Sequence, residues 1–146
     1  MMKPEPSIDP QALRDARVKA GLTQHELARL IGVAGGERVS RWERGASAPR
    51  PEVLHRIAAV VNVSAGHLLV PGQGRPDLRR LRVLAGLSAR QVANATHLSL
   101  PTYARWEAGN LDRMPPPAVL EALAATLGVG RDDVASALTA GRRGSV

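Results

Sequence analysis

Apolar residues recur along this chain in short bursts at helical spacing, each with a capping residue in front and a breaker behind. Asp9-Pro10 reads as an N-cap followed by proline in a first helical turn, ahead of Leu13, Ala16, Arg17 and Ala20, and Gly21 takes the left-handed closing position. Thr23-Gln24-His25-Glu26 is a capping box: the threonine hydroxyl accepts from the helix start and the glutamate reaches back to the cap. Leu27, Ala28 and Ile31 form the inward face of this second helix, and Gly32 permits the turn that follows. A third helix covers residues 37–44, with Val39 and Trp42 inward and Gly45 as its stop. Pro49 and Pro51 open a fourth with Leu54, Ile57, Ala58 and Val61 inward, and Ser64 caps a short fifth ending in Leu68-Leu69.

The same order then returns. Residues 77–85 form a first helix stopped by Gly86, and Ser88-Ala89-Arg90-Gln91 is a second capping box ahead of Val92, Ala93 and Thr96. Ser99 caps a third helix that runs through Ala108 to Gly109. Pro115-Pro116-Pro117 leads into a fourth that ends at Leu127, and residues 131–138 make a fifth. The echo is residue by residue: Arg17-Val18 and Ala20-Gly21-Leu22 answer Arg82-Val83 and Ala85-Gly86-Leu87, and Arg41-Trp42-Glu43-Arg44-Gly45 answers Arg105-Trp106-Glu107-Ala108-Gly109. Two copies, each with its own start and stop, indicate a duplicated small domain rather than a solenoid. The pattern predicts an all-α protein of two tandem five-helix domains at residues 9–70 and 77–138. A mobile tail over 1–8, a linker over 71–76 and a basic tail over 139–146 complete the expected layout.

Charge narrows the partner. The formal net charge is +7, and all but two of the 20 basic residues are arginine, the lysines being Lys3 and Lys19. Such a balance points to an anion such as nucleic acid; the guanidinium fork suits both phosphates and guanine edges, but an arginine bias follows equally from a GC-rich genome, so the positions of the arginines must decide. With no cysteine, disulfides, thiolate zinc sites and cysteine nucleophiles are excluded. His25, His55, His67 and His97 have neither a helical i, i+4 pairing nor carboxylates at ligand spacing, so no metal, and no cofactor, is expected. One tyrosine and no phenylalanine argue against stacking on single strands. No apolar run approaches the roughly 18 residues of a membrane span and the first ten residues do not read as a signal peptide. No membrane partner and no small-molecule ligand are expected, and the cytoplasm is the expected location.

A short helix, a tight turn and a second short helix, with a small alanine (Ala28, Ala93) where the two must approach, is a helix-turn-helix pattern. Ala20-Gly21-Leu22-Thr23-Gln24, Leu27-Ala28, Ile31-Gly32-Val33 and then Val39-Ser40-Arg41-Trp42-Glu43-Arg44-Gly45 resemble the Cro/repressor-type (XRE, lambda-repressor-like) helix-turn-helix family. Pro49, Leu54, Ile57-Ala58, Val63 and Leu68-Leu69 extend the likeness, which covers residues 13–69 and again 78–138. The resemblance implies five-helix domains whose third helix enters the major groove of duplex DNA. It implies that Thr23 and Gln24, at the second helix's start, meet backbone phosphate or a base edge. Glu37, Arg38, Ser40 and Arg41 match groove-facing positions, with Arg44 beside them; an arginine could grip guanine O6 and N7, and Glu37 a cytosine amino group. In the second copy the matching set is Ser88, Arg90, Ser99, Leu100, Thr102 and Arg105, with Leu100 and Thr102 facing thymine methyls. Arg17 with Glu43, and Arg82 with Glu107, match a structural ion pair of the family.

The copies depart from the pattern in different places. Leu22 to Trp42 is 20 positions whereas Leu87 to Trp106 is 19, an extra residue most simply absorbed at Gly35-Gly36. The second copy has Ala89 where the first has Gln24, and His97 where the first has Gly32; histidine tolerates positive φ better than most residues. Trp42 and Trp106 read as core residues rather than base stackers. Gly74-Arg75-Pro76 shares the core of a minor-groove hook but reads as linker.

The leading functional expectation is a sequence-specific regulator of transcription, a repressor, in which the two units act as a covalent pseudo-dimer on double-stranded DNA at the bacterial nucleoid. A homodimer and a protein partner are compatible with it, and control would come from expression level, proteolysis or that partner. The competing expectation is an antitoxin-like or anti-regulator interaction module in which only the first unit binds DNA. No motif sets a nucleophile beside a base or cradles phosphate in a loop, so an enzyme is not expected.

Overall fold

The structure is a computed structural model that describes residues 7–72 and 74–144, without the side chains of residues 143 and 144. The described residues fall into two compact units that divide between Pro71 and Gly72.

In the first unit, Asp9 accepts from the N–H groups of Gln11 and Ala12 at 3.1 and 3.2 Å and starts helix α1 (Pro10–Lys19). Such a cap contributes about 1 kcal/mol. The expected capping box opens α2 (Gln24–Ile31): Glu26 N–H donates to the Thr23 hydroxyl and Thr23 N–H to the Glu26 carboxylate, both at 3.0 Å. Helix α3 (Gly36–Glu43) follows after a four-residue turn, then α4 (Pro51–Val61) with proline in its first turn. The extra residue falls at Ala34, one place before the expected Gly35-Gly36: Val33 and Leu98 make matching turn bonds, and the N-caps Gly35 and Ser99 correspond. Gly35 has φ +150°, and a Cβ on Gly36 would stand 3.0 Å from the backbone nitrogen of His25, so the first residue of α3 lies directly against the start of α2. Leu13, Leu27, Val39, Ile57 and Leu68 are fully buried, and Trp42 is 4% exposed. Truncating any of those aliphatics to alanine costs about 2–5 kcal/mol.

Two expectations are corrected here. The fifth helix of this unit is a single 3-10 turn (Ala65–Leu68), and Ser64 makes no side-chain capping bond to it. Ile8, expected in a tail, is 7% exposed and pairs in an isolated antiparallel bridge with Leu69. Both follow from one set of long-range bonds. Asp9 N–H donates to the Leu68 carbonyl at 2.8 Å and Val70 N–H to the Ser7 carbonyl at 2.9 Å, drawing the chain out of helix after one turn. The rest of the expected tail, residues 1–6, lies outside the described residues.

The second unit has α5 (Leu78–Leu84), α6 (Ala89–Ala95), α7 (Leu100–Glu107), α8 (Pro117–Leu127) and α9 (Arg131–Gly144). Its capping box is formed by Ser88 and Gln91 at 3.1 and 2.8 Å, and Ser99 caps α7 by accepting from Thr102 N–H at 3.2 Å. His97 does adopt the left-handed conformation, φ +58°, where the first unit has Gly32 at +79°. The trade is reversed after the fourth helices, with Asn62 at +59° in the first unit and Gly128 at +70° in the second. Leu78, Val92, Tyr103, Leu123, Val134 and Leu138 are core residues. The basic tail expected from residue 139 is instead helical through 144, because buried Ala137, Leu138 and Gly141 continue the apolar stripe of α9. The Thr139 hydroxyl returns to the Ala135 carbonyl at 3.0 Å, and residues 145–146 lie outside the described residues. Within the expected linker, Arg75 donates to the Ser136 hydroxyl at 3.1 Å, so residues just ahead of α5 fold onto this unit.

Candidate nucleic-acid interface

A helix that reads DNA must be held still by the domain beneath it. In the first unit α1 does this through Arg17, whose Nε and Nη2 donate to Glu43 at 2.6 and 3.0 Å while Nη1 donates to the Leu22 carbonyl at 2.8 Å. The two side chains are 11% and 5% exposed. The Glu43 hydrogen bond raises the Arg17 pKa further than partial burial lowers it. Gln24, expected to face DNA, also reaches this carboxylate: its Nε2 donates to Glu43 Oε1 at 3.1 Å. The protein therefore holds the amide that the sequence assigns to DNA.

The second unit rebuilds the same device. Arg82 bonds Glu107 at 2.6 and 3.1 Å and the Leu87 carbonyl at 3.0 Å. Burial works against both charges. The Glu107 hydrogen bond and charge nonetheless leave Arg82 above its ordinary pKa, and those of Arg82 hold the Glu107 carboxyl below the usual carboxylate range. Two residues that the sequence reading missed complete the cluster. Arg79 Nε donates to Glu107 Oε1 at 3.4 Å, and Tyr103, in the place of Val39, brings a hydroxyl that is buried with no hydrogen-bond partner. Burial, with the Glu107 charge beside it, pushes that hydroxyl well above the usual phenol range. The available signal for Arg79 was Ala89: its methyl leaves the carboxylate one donor short, and Arg79 stands one helical turn before Arg82.

The outward faces differ between the units. On α3, Arg38 and Arg41 are exposed and Ser40 is half-buried. Glu37 and Arg44 pair with each other at 3.2 Å on the surface, and Arg44 Nε also reaches the Ser40 carbonyl at 3.3 Å. With 79% of Glu37 and 60% of Arg44 exposed, that pair contributes under about 1 kcal/mol and yields readily to a competing ligand. Thr23 is exposed with its hydroxyl committed to the cap. On the second unit, Arg90 and Arg105 are exposed. Ser88 and Ser99 serve as caps, and the Ser99 hydroxyl also donates to the Thr102 hydroxyl at 2.8 Å. Leu100 is only partly available, since it packs against the core of its unit. Arg38 and Arg41 thus stand together on one helix, whereas α7 pairs Arg105 with side chains largely spent on folding.

Among the described residues no cluster of histidine, cysteine or carboxylate side chains could hold a metal, and no helix is long and apolar enough to cross a membrane.

Two short helices crossing at a tight turn, the second pinned by a buried arginine–carboxylate pair and carrying exposed cations, define a helix-turn-helix protein, here in two tandem copies. Residues 13–68 match the family described as Helix-turn-helix, and residues 77–137 match one described as Helix-turn-helix domain. The chain belongs, through these tandem domains, to the Cro/repressor-type family that its sequence resembles. No curated protein and no solved structure matches it. Domains of this kind support a role in binding double-stranded DNA and regulating transcription.

Proposed function

We propose that the chain is a sequence-specific repressor of transcription in which the two units bind DNA as a covalent pseudo-dimer. The observation that carries the reading is the exposed pair Arg38 and Arg41 on α3, a helix whose other face is fixed by Val39, Trp42 and the Arg17–Glu43 pair. Each arginine fits the O6 and N7 acceptors of a guanine, and Glu37, released from Arg44, fits a cytosine amino group. In the second unit Arg105 and Arg90 supply charge and Thr102 a methyl. Joining two weak readers raises the effective concentration of the second to the millimolar range and the overall affinity by orders of magnitude. Repression then needs only occupancy of the site. The proposed location is the cytoplasm, on the nucleoid.

A second reading is favoured by the spent side chains of α7: the second unit is a docking module for a protein, and two chains bring their first units together on DNA. Selection of sites from random duplex DNA by the full chain, followed by footprinting, separates the two. The pseudo-dimer yields an asymmetric site of two unlike halves. A short perfect palindrome protected only by first units supports the docking module, and absence of any selected sequence removes the DNA-reading role.

A further inference from the structure

On the outward side of α3 one acid is tied to one base across two helical turns. Glu37 and Arg44 are seven positions apart, which returns to the same side of the helix, and Arg44 Nη2 donates to Glu37 Oε1 at 3.2 Å. Arg44 Nε meanwhile donates to the Ser40 carbonyl at 3.3 Å, so the guanidinium is anchored at its inner nitrogen while an outer one reaches the acid. Arg41 stands on the same side, four positions after Glu37 and three before Arg44. The second unit lacks both members together. Counted from its own tryptophan, Trp106, Pro101 takes the place of Glu37 and Ala108 that of Arg44, and Thr102 takes the place of Arg38. The pair therefore belongs to the unit that carries two exposed arginines on its third helix.

We infer that this pair couples base reading to backbone grip: Arg44 is a phosphate contact that Glu37 withholds until a cytosine amino group replaces it on the carboxylate. This deepens the DNA-reading role proposed above and rests on it. The pair lies in water, with 79% of Glu37 and 60% of Arg44 exposed, where an ion pair is weak and exchanges readily. Guanine O6 and N7 and thymine O4 are acceptors, so a carboxylate beside them stays on Arg44, whereas cytosine N4 is a donor and takes it. On unmatched sequence the closed pair brings no net charge to the backbone. On matched sequence the outer guanidinium nitrogens are released while Nε stays on Ser40, and their N–H donors turn to a phosphate. A matched site thus gains two contacts and an unmatched one neither, which sharpens discrimination without a further base contact.

The test is a double-variant cycle read as salt dependence. Glu37→Gln keeps an acceptor for cytosine but no charge to hold Arg44, and Arg44→Ala removes the phosphate contact. Full-length wild type, both single variants and the double variant are melted, then titrated with the selected duplex and with a random duplex of equal length at several salt concentrations. On the selected duplex, Arg44→Ala should make the log K against log salt slope shallower by about 0.9, one phosphate contact, with or without Glu37→Gln. On the random duplex it should do so only in the Glu37→Gln background. An equal loss on random duplex in both backgrounds shows that Glu37 withholds nothing, and an unchanged slope on the selected duplex shows that Arg44 meets no phosphate; either overturns the inference. If Arg44→Ala does not fold, Glu37→Gln alone decides, since it should steepen the random-duplex slope by about 0.9 and leave the selected one as in wild type. A wild type that binds neither duplex, or both alike, is a different failure, that of the DNA-reading role itself.

Discussion

Arg17 lays two guanidinium nitrogens on the Glu43 carboxylate, at 2.6 and 3.0 Å, and spends a third on the Leu22 carbonyl at 2.8 Å. One side chain thus ties α1, the turn ahead of α2 and the last turn of α3. The arrangement sets geometry more than it adds stability, because removing both ions from water costs nearly what their attraction returns. Its repetition by Arg82 and Glu107 means that each unit orients its third helix independently.

That balance makes a prediction. Glu43→Ala should destabilise by about 3–5 kcal/mol, since it strands the Arg17 charge in a site 11% exposed. Arg17→Met with Glu43→Leu should recover most of that loss. Urea unfolding of Glu43→Ala and of the double variant measures it. A double variant as unstable as Glu43→Ala would show that the pair itself, not the stranded charge, carries the stability.

The second unit should lose stability in acid through Glu107. Its folded pKa lies below the ordinary value of 4.5, so the unfolded chain binds a proton first as pH falls. The stabilisation is complete above the unfolded value and is lost as pH drops through the folded one. Glu107→Gln should therefore be less stable than wild type by about 3 kcal/mol at pH 7. The gap should close progressively below pH 4.5. Melting curves of both proteins between neutral and acid pH check this, and a gap that stays constant would contradict the depressed pKa.

Tyr103 offers an opposite test. Its hydroxyl is buried without a partner, and an unsatisfied buried hydroxyl costs about 1–3 kcal/mol. Tyr103→Phe keeps the ring, which is fully buried in the core of the second unit, and should be neutral or raise the melting temperature. A loss above about 1 kcal/mol would mean that the hydroxyl bonds to the Arg82–Glu107 pair in solution.

How much of this was legible in the chain depends on how far apart the interacting residues lie. Caps and stops are local chemistry, and Asp9, Thr23, Ser88, Ser99, Gly21 and His97 all behave as their neighbours in sequence require. The inward faces of α2, α4, α6 and α8 follow from spacing alone. Ile8 was misread because its partner, Leu69, is remote, and no local pattern marks a lone bridge. The end of α9 was misread because Thr139 and two arginines look like a tail unless the buried stripe beneath them is known. In the site, the ion pairs could be read because both members recur in both copies. Gln24 was assigned outward, yet its amide is held by a carboxylate 19 positions away. Leu100 was assigned to thymine, but one residue of a short helix serves core and surface at once.

The last prediction concerns which arginines read bases. Arg38 and Arg41 are exposed on α3, whose orientation is locked from below, so a bidentate contact from either meets one base pair. Arg38→Ala or Arg41→Ala should weaken the selected site by about 1–3 kcal/mol and relax preference at one position, with little effect on random DNA. Arg105→Ala, on the helix whose Thr102 hydroxyl is bonded to the capping Ser99 and whose Glu107 is held by Arg82, should weaken selected and random duplexes alike. Binding isotherms on the selected duplex, on its single-base variants and on random duplex give all three quantities. If Arg38→Ala and Arg41→Ala lower affinity equally for every duplex, α3 contacts phosphate only, and sequence reading must be sought on another surface of the chain.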